Sequence, residues 1–276
     1  MITPTGAVDP PLRIILCRGV LIGNPDQTTL GEWLAQEPFS MALSSGFFGF
    51  FAHFGFLDAL QDAGFRPAHV SGSSAGAMAA AYWACGLNVS DLKPRLFTLK
   101  RSDFWDPALG PGLLKGQRFR AILEEIYPVA RIEQCSTRLS ISAFDLLSLS
   151  THTLDSGRLR DAVYASCSVP LLFHPLRIGG TLYLDGGIAD RPAFAGLPVE
   201  GRVLYHHLEP RRPSMKSDHG LNRLLQTRPN TVAIGTQNVE AVNPGKLDLG
   251  RQAFDQVRAA TKKAFSLPVI NRRVMV

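Results

Sequence analysis

The sequence predicts a single α/β domain, and three observations predict it. Residues 39–43 read as a short strand that enters a Gly/Ser/Phe loop over residues 44–51, then a helix from about 52 to 63 closed by Gly64. Residues 67–70 read as a second extended stretch, followed by Gly72-Ser73-Ser74-Ala75-Gly76 and an Ala-rich helical run over residues 77–85. The third observation is size: 276 residues, 45% hydrophobic and 19% charged, supply one large core and lie near the length at which chains divide.

The pentapeptide carries the first functional expectation. On a tight strand-to-helix turn a G-x-S-x-G serine projects its hydroxyl from the sheet edge, and Gly72 and Gly76 remove the Cβ atoms that would block the sharp backbone. The first N–H groups of the following helix, and its dipole, point to where negative charge would develop in acyl transfer. Ser74 is thereby a candidate nucleophile, although the same five residues also suit a plain turn capping a buried helix. Downstream, residues 181–184 alternate as a strand and run into Asp185-Gly186-Gly187, which would present the Asp185 carboxylate at the strand end as a base; Asp-Gly is also an ordinary turn signal. Upstream, the loop over residues 44–51 sets backbone N–H groups ahead of a helix, a geometry able to hold an oxyanion.

The ordered set Leu43-Ser44-Ser45-Gly46, Ala52-His53-Phe54-Gly55, the Gly72 to Gly76 turn, Ala165-Ser166-Cys167-Ser168-Val169-Pro170 and Asp185-Gly186-Gly187 resembles the patatin-like phospholipases over residues 39–195. The resemblance implies a three-layer α/β/α sandwich around a mixed, largely parallel sheet. It also implies a Ser-Asp dyad falling on Ser74 and Asp185, and an oxyanion loop falling on Ser45, Gly46 and Phe47 within residues 45–50. One departure stands out. Aligned on His53, the family's three glycines fall on Ser45, Gly46 and Phe47, its basic residue on Gly49 and its last glycine on Phe50. If the backbone keeps the family's path, Phe47 or Phe50 is expected at positive φ, at a cost of about 1 to 3 kcal/mol.

The whole chain, residues 1–276, reads as one domain: an extension over 1–38 packed on it, the motif-bearing core over 39–195, and the remaining core over 196–276. Within the extension, residues 12–22 read as an apolar strand or strand pair and 28–36 as a short helix. The polar stretch 209–222 reads as a surface loop or lid, with strand resuming at 231–234, and the run 247–265 as an amphipathic helix whose basic side faces either solvent or an anionic membrane.

No run of about 20 uncharged apolar residues and no basic leader precede the core, so neither a membrane span nor a signal peptide is expected. Cys17, Cys85, Cys135 and Cys167 form no C-x-x-C pair, which suits reduced core thiols in the cytoplasm, with no metal and no cofactor. His206 and His207 are adjacent instead of at i, i+4 spacing, suiting a surface or strand-end role better than metal ligation. A net charge of +6 favours an anionic partner. Nucleic acid fits poorly, because the aromatic stretch 46–56 holds no Lys or Arg. A phospholipid or other acyl ester fits better, with Phe48 and Phe51 as substrate-binding candidates and a peripheral contact with an anionic membrane left open.

The expected activity is lipid acyl hydrolysis, of the phospholipase A or lysophospholipase type, through an acyl-enzyme on Ser74. Two alternatives remain at this stage: a non-catalytic lipid-binding protein with an altered loop, and a Ser-Asp-His esterase drawing on His206 or His207.

Overall fold

The strand ahead of the Gly72 turn lies at the centre of the sheet, and its neighbours follow from the parallel pairing that strand-helix units impose. The computed structural model describes residues 28–208 and 215–276. In chain order these form α1 (Leu30–Gln36), β1 (Ser40–Leu43), α2 (Phe50–Asp62), β2 (His69–Ser73), α3 (Ala75–Ala84), α4 (Val89–Phe97), α5 (Arg101–Phe104), β3 (Gly112–Leu114), α6 (Gln117–Ile126), β4 (Arg138–Asp145) and β5 (Ser150–Leu154). There follow α7 (Leu159–Ser166), β6 (Leu171–Phe173), β7 (Leu176–Ile178), β8 (Thr181–Asp185), β9 (Val203–His207), α8 (Met215–Gln226), β10 (Thr231–Gly235), α9 (Gly250–Ala264) and β11 (Arg273–Met275).

The main sheet runs β11-β10-β9-β1-β2-β4-β8-β7, with β5 also on β4, while β3 and β6 form a separate pair. From β11 to β4 the strands are parallel; β8, β7 and β5 join antiparallel. Alternation along the strands divides the side chains between two faces. Met41, Leu43, Leu204, Val232 and Ile234 join the large core under α2, α3 and α9. Ala42, Val203, Tyr205 and Ala233 meet Phe194, Leu197 and the Leu221 and Leu225 side chains of α8 on the other face. This is the three-layer α/β/α arrangement with a mixed, largely parallel sheet.

Helix α2 is buried from Phe50 to Leu60, as a helix apolar on every side must be. Gly55 lets α9 lie directly on it, since a Cβ there would run into the Phe254 carbonyl. The basic side of α9 also turns to α2: Arg258 pairs with Asp58 and with Asp62 at 2.6 Å, and Lys262 with Asp62 at 2.7 Å. With Ala253, Phe254 and Val257 buried, α9 takes the covering-helix geometry.

The helix expected over residues 28–36 is α1, closed by a capping box between Thr29 and Glu32 and tied to the chain after α9 through the Leu30 N–H and the Leu267 carbonyl. The strand expected over residues 12–22 lies outside the described residues. The loop or lid expected over 209–222 is corrected in part, because helix α8 begins at Met215 and places Leu221 and Leu225 in the core. Among the described residues no helix is long and apolar enough to cross a membrane.

Candidate active site

Ser74 occupies a backbone conformation that few side chains adopt, with φ 54° and ψ −120°, at the junction of β2 and α3. The two flanking glycines make this turn possible by close approach: a Cβ on Gly72 would strike Gly76 and Ala77, and one on Gly76 would strike the Leu43 carbonyl of β1. The main chain of Ser74 is held from α7. Its N–H donates to Ser166 Oγ at 2.8 Å, and that hydroxyl in turn donates to the Ser142 carbonyl of β4 at 2.7 Å. The Cys167 thiol donates to the Ser74 carbonyl at 3.2 Å.

With the main chain fixed, the Ser74 hydroxyl reaches the end of β8, where it donates to Asp185 Oδ2 at 2.6 Å. The other carboxylate oxygen accepts the Gly187 N–H at 2.8 Å, and the Asp185 N–H donates to the Ser168 carbonyl at 3.0 Å. Asp185 is 7% exposed. Burial raises its pKa above the ordinary carboxylate value, against the lowering effect of the Ser74 and Gly187 hydrogen bonds. A carboxylate so raised is a better proton acceptor for a serine hydroxyl than an exposed one. Just beyond it, buried Asp190 accepts from Ser142 Oγ at 2.6 Å and from the Phe194 and Ala195 N–H groups, locking the turn after β8 to β4.

The Gly/Ser/Phe loop lies beside Ser74 and does not follow every expectation. Gly46 and Phe47 border the same cavity as Ser74, and among the described residues nothing accepts from either N–H. The Ser45 N–H, by contrast, donates to the Arg191 carbonyl at 2.8 Å, which removes it from the candidate oxyanion donors. Positive φ falls on Phe48, at 56°, and on neither Phe47 nor Phe50. The loop therefore turns one residue away from the expected positions. Phe47, 58% exposed, stands at the rim, while the Phe48 ring contacts Phe47, Phe50 and Phe104.

Ser74 opens on an apolar cavity of about 110 Å³ lined by Phe48, Phe54, Met78, Leu96, Phe104 and Phe173 among others. Among the described residues its one charged lining residue, Arg95, is paired with Asp103 and Glu125 at 3.0 Å each. Phe48 lines this cavity, whereas Phe51 does not. Phe51 is 1% exposed and packs on Gly250 at the head of α9, a core contact away from the cavity.

The two histidines after β1 and in β9 were not expected to meet. His53 Nε2 lies 2.8 Å from the Ser44 carbonyl, and His53 Nδ1 lies 2.8 Å from His206 Nδ1. A carbonyl only accepts, so His53 carries its proton on Nε2, and His206 donates from Nδ1 to the bare Nδ1 of His53. Burial holds both neutral, lowering the pKa of His53 to about 4 and that of His206 well below its usual value. His206, 1% exposed and stacked on Phe56, is thus interior and not at the surface. It supports the strand-loop junction at Ser44 and does not line the cavity of Ser74. Ser166, Ser142 and Asp190 also escaped the sequence reading, although Ser166 lies in the Ala165 to Pro170 segment and could have been singled out there.

A patatin-like phospholipase family model matches residues 41–197. The chain belongs to the patatin-like phospholipase family. That family is one of lipid acyl hydrolases. An NTE family protein of Mycobacterium tuberculosis is 28% identical over 174 residues, covering 59% of this patatin-like chain and 45% of the relative, and one of Mycobacterium bovis matches equally. The chain thus spans less than half the length of these relatives. Among solved structures, VipD from Legionella pneumophila superposes with a TM-score of 0.61 at 17% identity, covering 84% of this chain and 67% of VipD. At that identity the likeness is one of fold, and it agrees with the sheet and layers described above.

Proposed function

We propose that this patatin-like chain hydrolyses carboxylic esters of lipids through a Ser74-Asp185 dyad and a covalent acyl-enzyme. The observation that carries the reading is the 2.6 Å hydrogen bond from the Ser74 hydroxyl to a buried Asp185, made at the mouth of an apolar cavity. In the first step the Ser74 oxygen attacks the ester carbonyl while its proton passes to Asp185 Oδ2. The developing oxyanion meets the unengaged N–H groups of Gly46 and Phe47 and the positive end of α3. The tetrahedral intermediate collapses as the C–O bond to the alcohol breaks, and the leaving alkoxide takes the proton from Asp185. Water then attacks the acyl-Ser74 carbonyl, giving its proton to Asp185; the acid departs, and the proton returns to the Ser74 oxygen. The acyl chain lies in the Phe48, Phe104 and Phe173 cavity, whose paired Arg95 offers no free charge to a polar group.

A triad is the weaker reading, because neither His206 nor His207 lines the cavity of Ser74 and the Ser74 hydroxyl donates to Asp185 directly. The direct test is labelling with a fluorophosphonate, which reports an activated serine without knowledge of the substrate. Wild type labels at Ser74, and Ser74→Ala neither labels nor turns over a short p-nitrophenyl ester. Unlabelled wild-type protein that still binds phospholipid vesicles would favour a lipid-binding role over an enzyme.

A further inference from the structure

A second cavity, of about 230 Å³, lies across the oxyanion loop from the acyl cavity, and the two share Gly46, Phe47 and Phe48 as their common wall. Its chemistry is different. The acyl cavity presents apolar side chains and one paired arginine, whereas this one presents Arg191, Glu240, His206 and His207. The main chain of Arg191 is fixed beside the loop by the Ser45 N–H, and its guanidinium is close enough to His207 to lower that histidine's pKa, after burial. No ion pair joins Arg191 to Glu240 or either of them to another described residue, so two opposite charges line one cavity and stand apart. His206 adds an acceptor. Its Nδ1 proton goes to His53, which leaves Nε2 as the acceptor of a buried histidine that lines the cavity.

Resting on the hydrolase reading for its place relative to the scissile ester, we infer that this cavity receives a phosphoethanolamine-type headgroup, with Arg191 taking the phosphate and Glu240 and His206 the primary ammonium. The charges fit that zwitterion in kind, one of each sign on the wall of a single cavity. A guanidinium matches phosphate oxygens as a fork, and a carboxylate with an imidazole lone pair matches the N–H donors of an ammonium. The loop itself, from Ser45 to Phe51, carries no cation, so among the described lining residues Arg191 is the positive group. A substrate with its carbonyl at the Gly46 and Phe47 N–H groups would extend its acyl chain to one side of the loop and its headgroup to the other. A neutral glyceride leaves Arg191 and Glu240 unused, and a quaternary ammonium offers His206 no donor.

The test compares phosphatidylethanolamine, phosphatidylcholine, phosphatidylglycerol and diacylglycerol of identical acyl chains in the same detergent micelles, using wild type, Arg191→Gln and Glu240→Gln. The readout is the ratio of kcat/KM between two lipids on one variant, which cancels any general damage to the site. Wild type prefers phosphatidylethanolamine; Arg191→Gln lowers its ratio to diacylglycerol by about tenfold or more, and Glu240→Gln lowers its ratio to phosphatidylglycerol by a similar factor. Unmoved ratios, or a phosphatidylcholine rate equal to that of phosphatidylethanolamine, would overturn the assignment. Calorimetric titration with glycerophosphoethanolamine separates this inference from the proposed activity. Binding that is lost in Arg191→Gln, in a protein without esterase activity, supports the headgroup site and refutes the hydrolase. Ser74-dependent turnover without such binding, or with equal binding of inorganic phosphate, does the reverse.

Discussion

At the scale of single residues the site depends on two backbone conformations with positive φ and on one buried carboxylate. Ser74 is held at φ 54° by the Gly72 and Gly76 approaches on either side and by the Ser166 hydroxyl beneath it. Asp185 derives its basicity from burial, so Asp185→Asn is expected to lower kcat by at least about a hundredfold, the lower end for loss of a general base. Steady-state kinetics on a p-nitrophenyl ester measures it, and a loss under tenfold would point to another base. Because burial raises the Asp185 pKa, the acid limb of kcat/KM should lie above the ordinary carboxylate range. Phe48 makes a separate test. Its φ of 56° favours glycine, while its ring touches three other phenylalanine rings. Phe48→Ala loses the ring and keeps the unfavourable φ; Phe48→Gly loses the ring and relieves it. Chemical denaturation should therefore find the glycine variant more stable than the alanine variant by about 1 kcal/mol. The reverse order would mean that the loop does not hold this conformation in solution.

At the scale of elements, the proposed active site is a junction of four: the turn between β2 and α3, the end of β8, the loop ahead of α2, and the C-terminus of α7. The first three were legible in the sequence because each is signalled locally, by glycines at fixed spacing next to a strand or helix pattern. The fourth was only half legible: the Ala165 to Pro170 segment stood out as a motif, but nothing local shows that its serine lies under a residue 92 positions earlier. The loop was legible as a turn ahead of a helix and its path was not. The resemblance placed strain at Phe47 or Phe50, yet the chain turns at Phe48 and leaves Phe50 buried as the first residue of α2. The role of α7 can be measured. Ser166→Ala removes the acceptor of the Ser74 N–H and the donor to the Ser142 carbonyl, both inside the site, and should cost roughly 1 to 3 kcal/mol of stability. It should also lower kcat more than it raises KM, because the turn carrying the proposed nucleophile loses its support while the apolar cavity keeps its lining. A stability loss with unchanged kcat would reduce Ser166 to a packing residue.

At the scale of the whole molecule the α/β class was legible from the strand-helix order, and the sheet order was not, because pairings such as β1 with β9 join distant segments. The buried histidines belong to the same category. His53 and His206 are 153 residues apart in the chain and become partners only when β9 lies beside β1. That pairing gives the fold a pH dependence whose sign can be worked out. Burial lowers the pKa of His53 from 6.5 to about 4, does the same for His69 and His207, and holds His206 well below its usual value. Between those values and 6.5 the unfolded chain binds more protons than the folded one, so stability is full above about pH 6.5 and falls as the pH drops towards 4. For His53 alone the difference corresponds to a few kcal/mol, on the order of 3. Protonation would also place a hydrogen on both Nδ1 atoms, opposing the contact that holds Ser44 at the base of the oxyanion loop. Urea denaturation should therefore give an unfolding free energy that declines steeply from about pH 7 to pH 5. The double substitution His53→Gln with His206→Asn, which keeps polar amides there but removes both titrating groups, should flatten that slope even though it lowers stability at pH 7. A wild-type profile flat across this range, or a slope unchanged in the double variant, would show that the pair is not buried as neutral imidazoles.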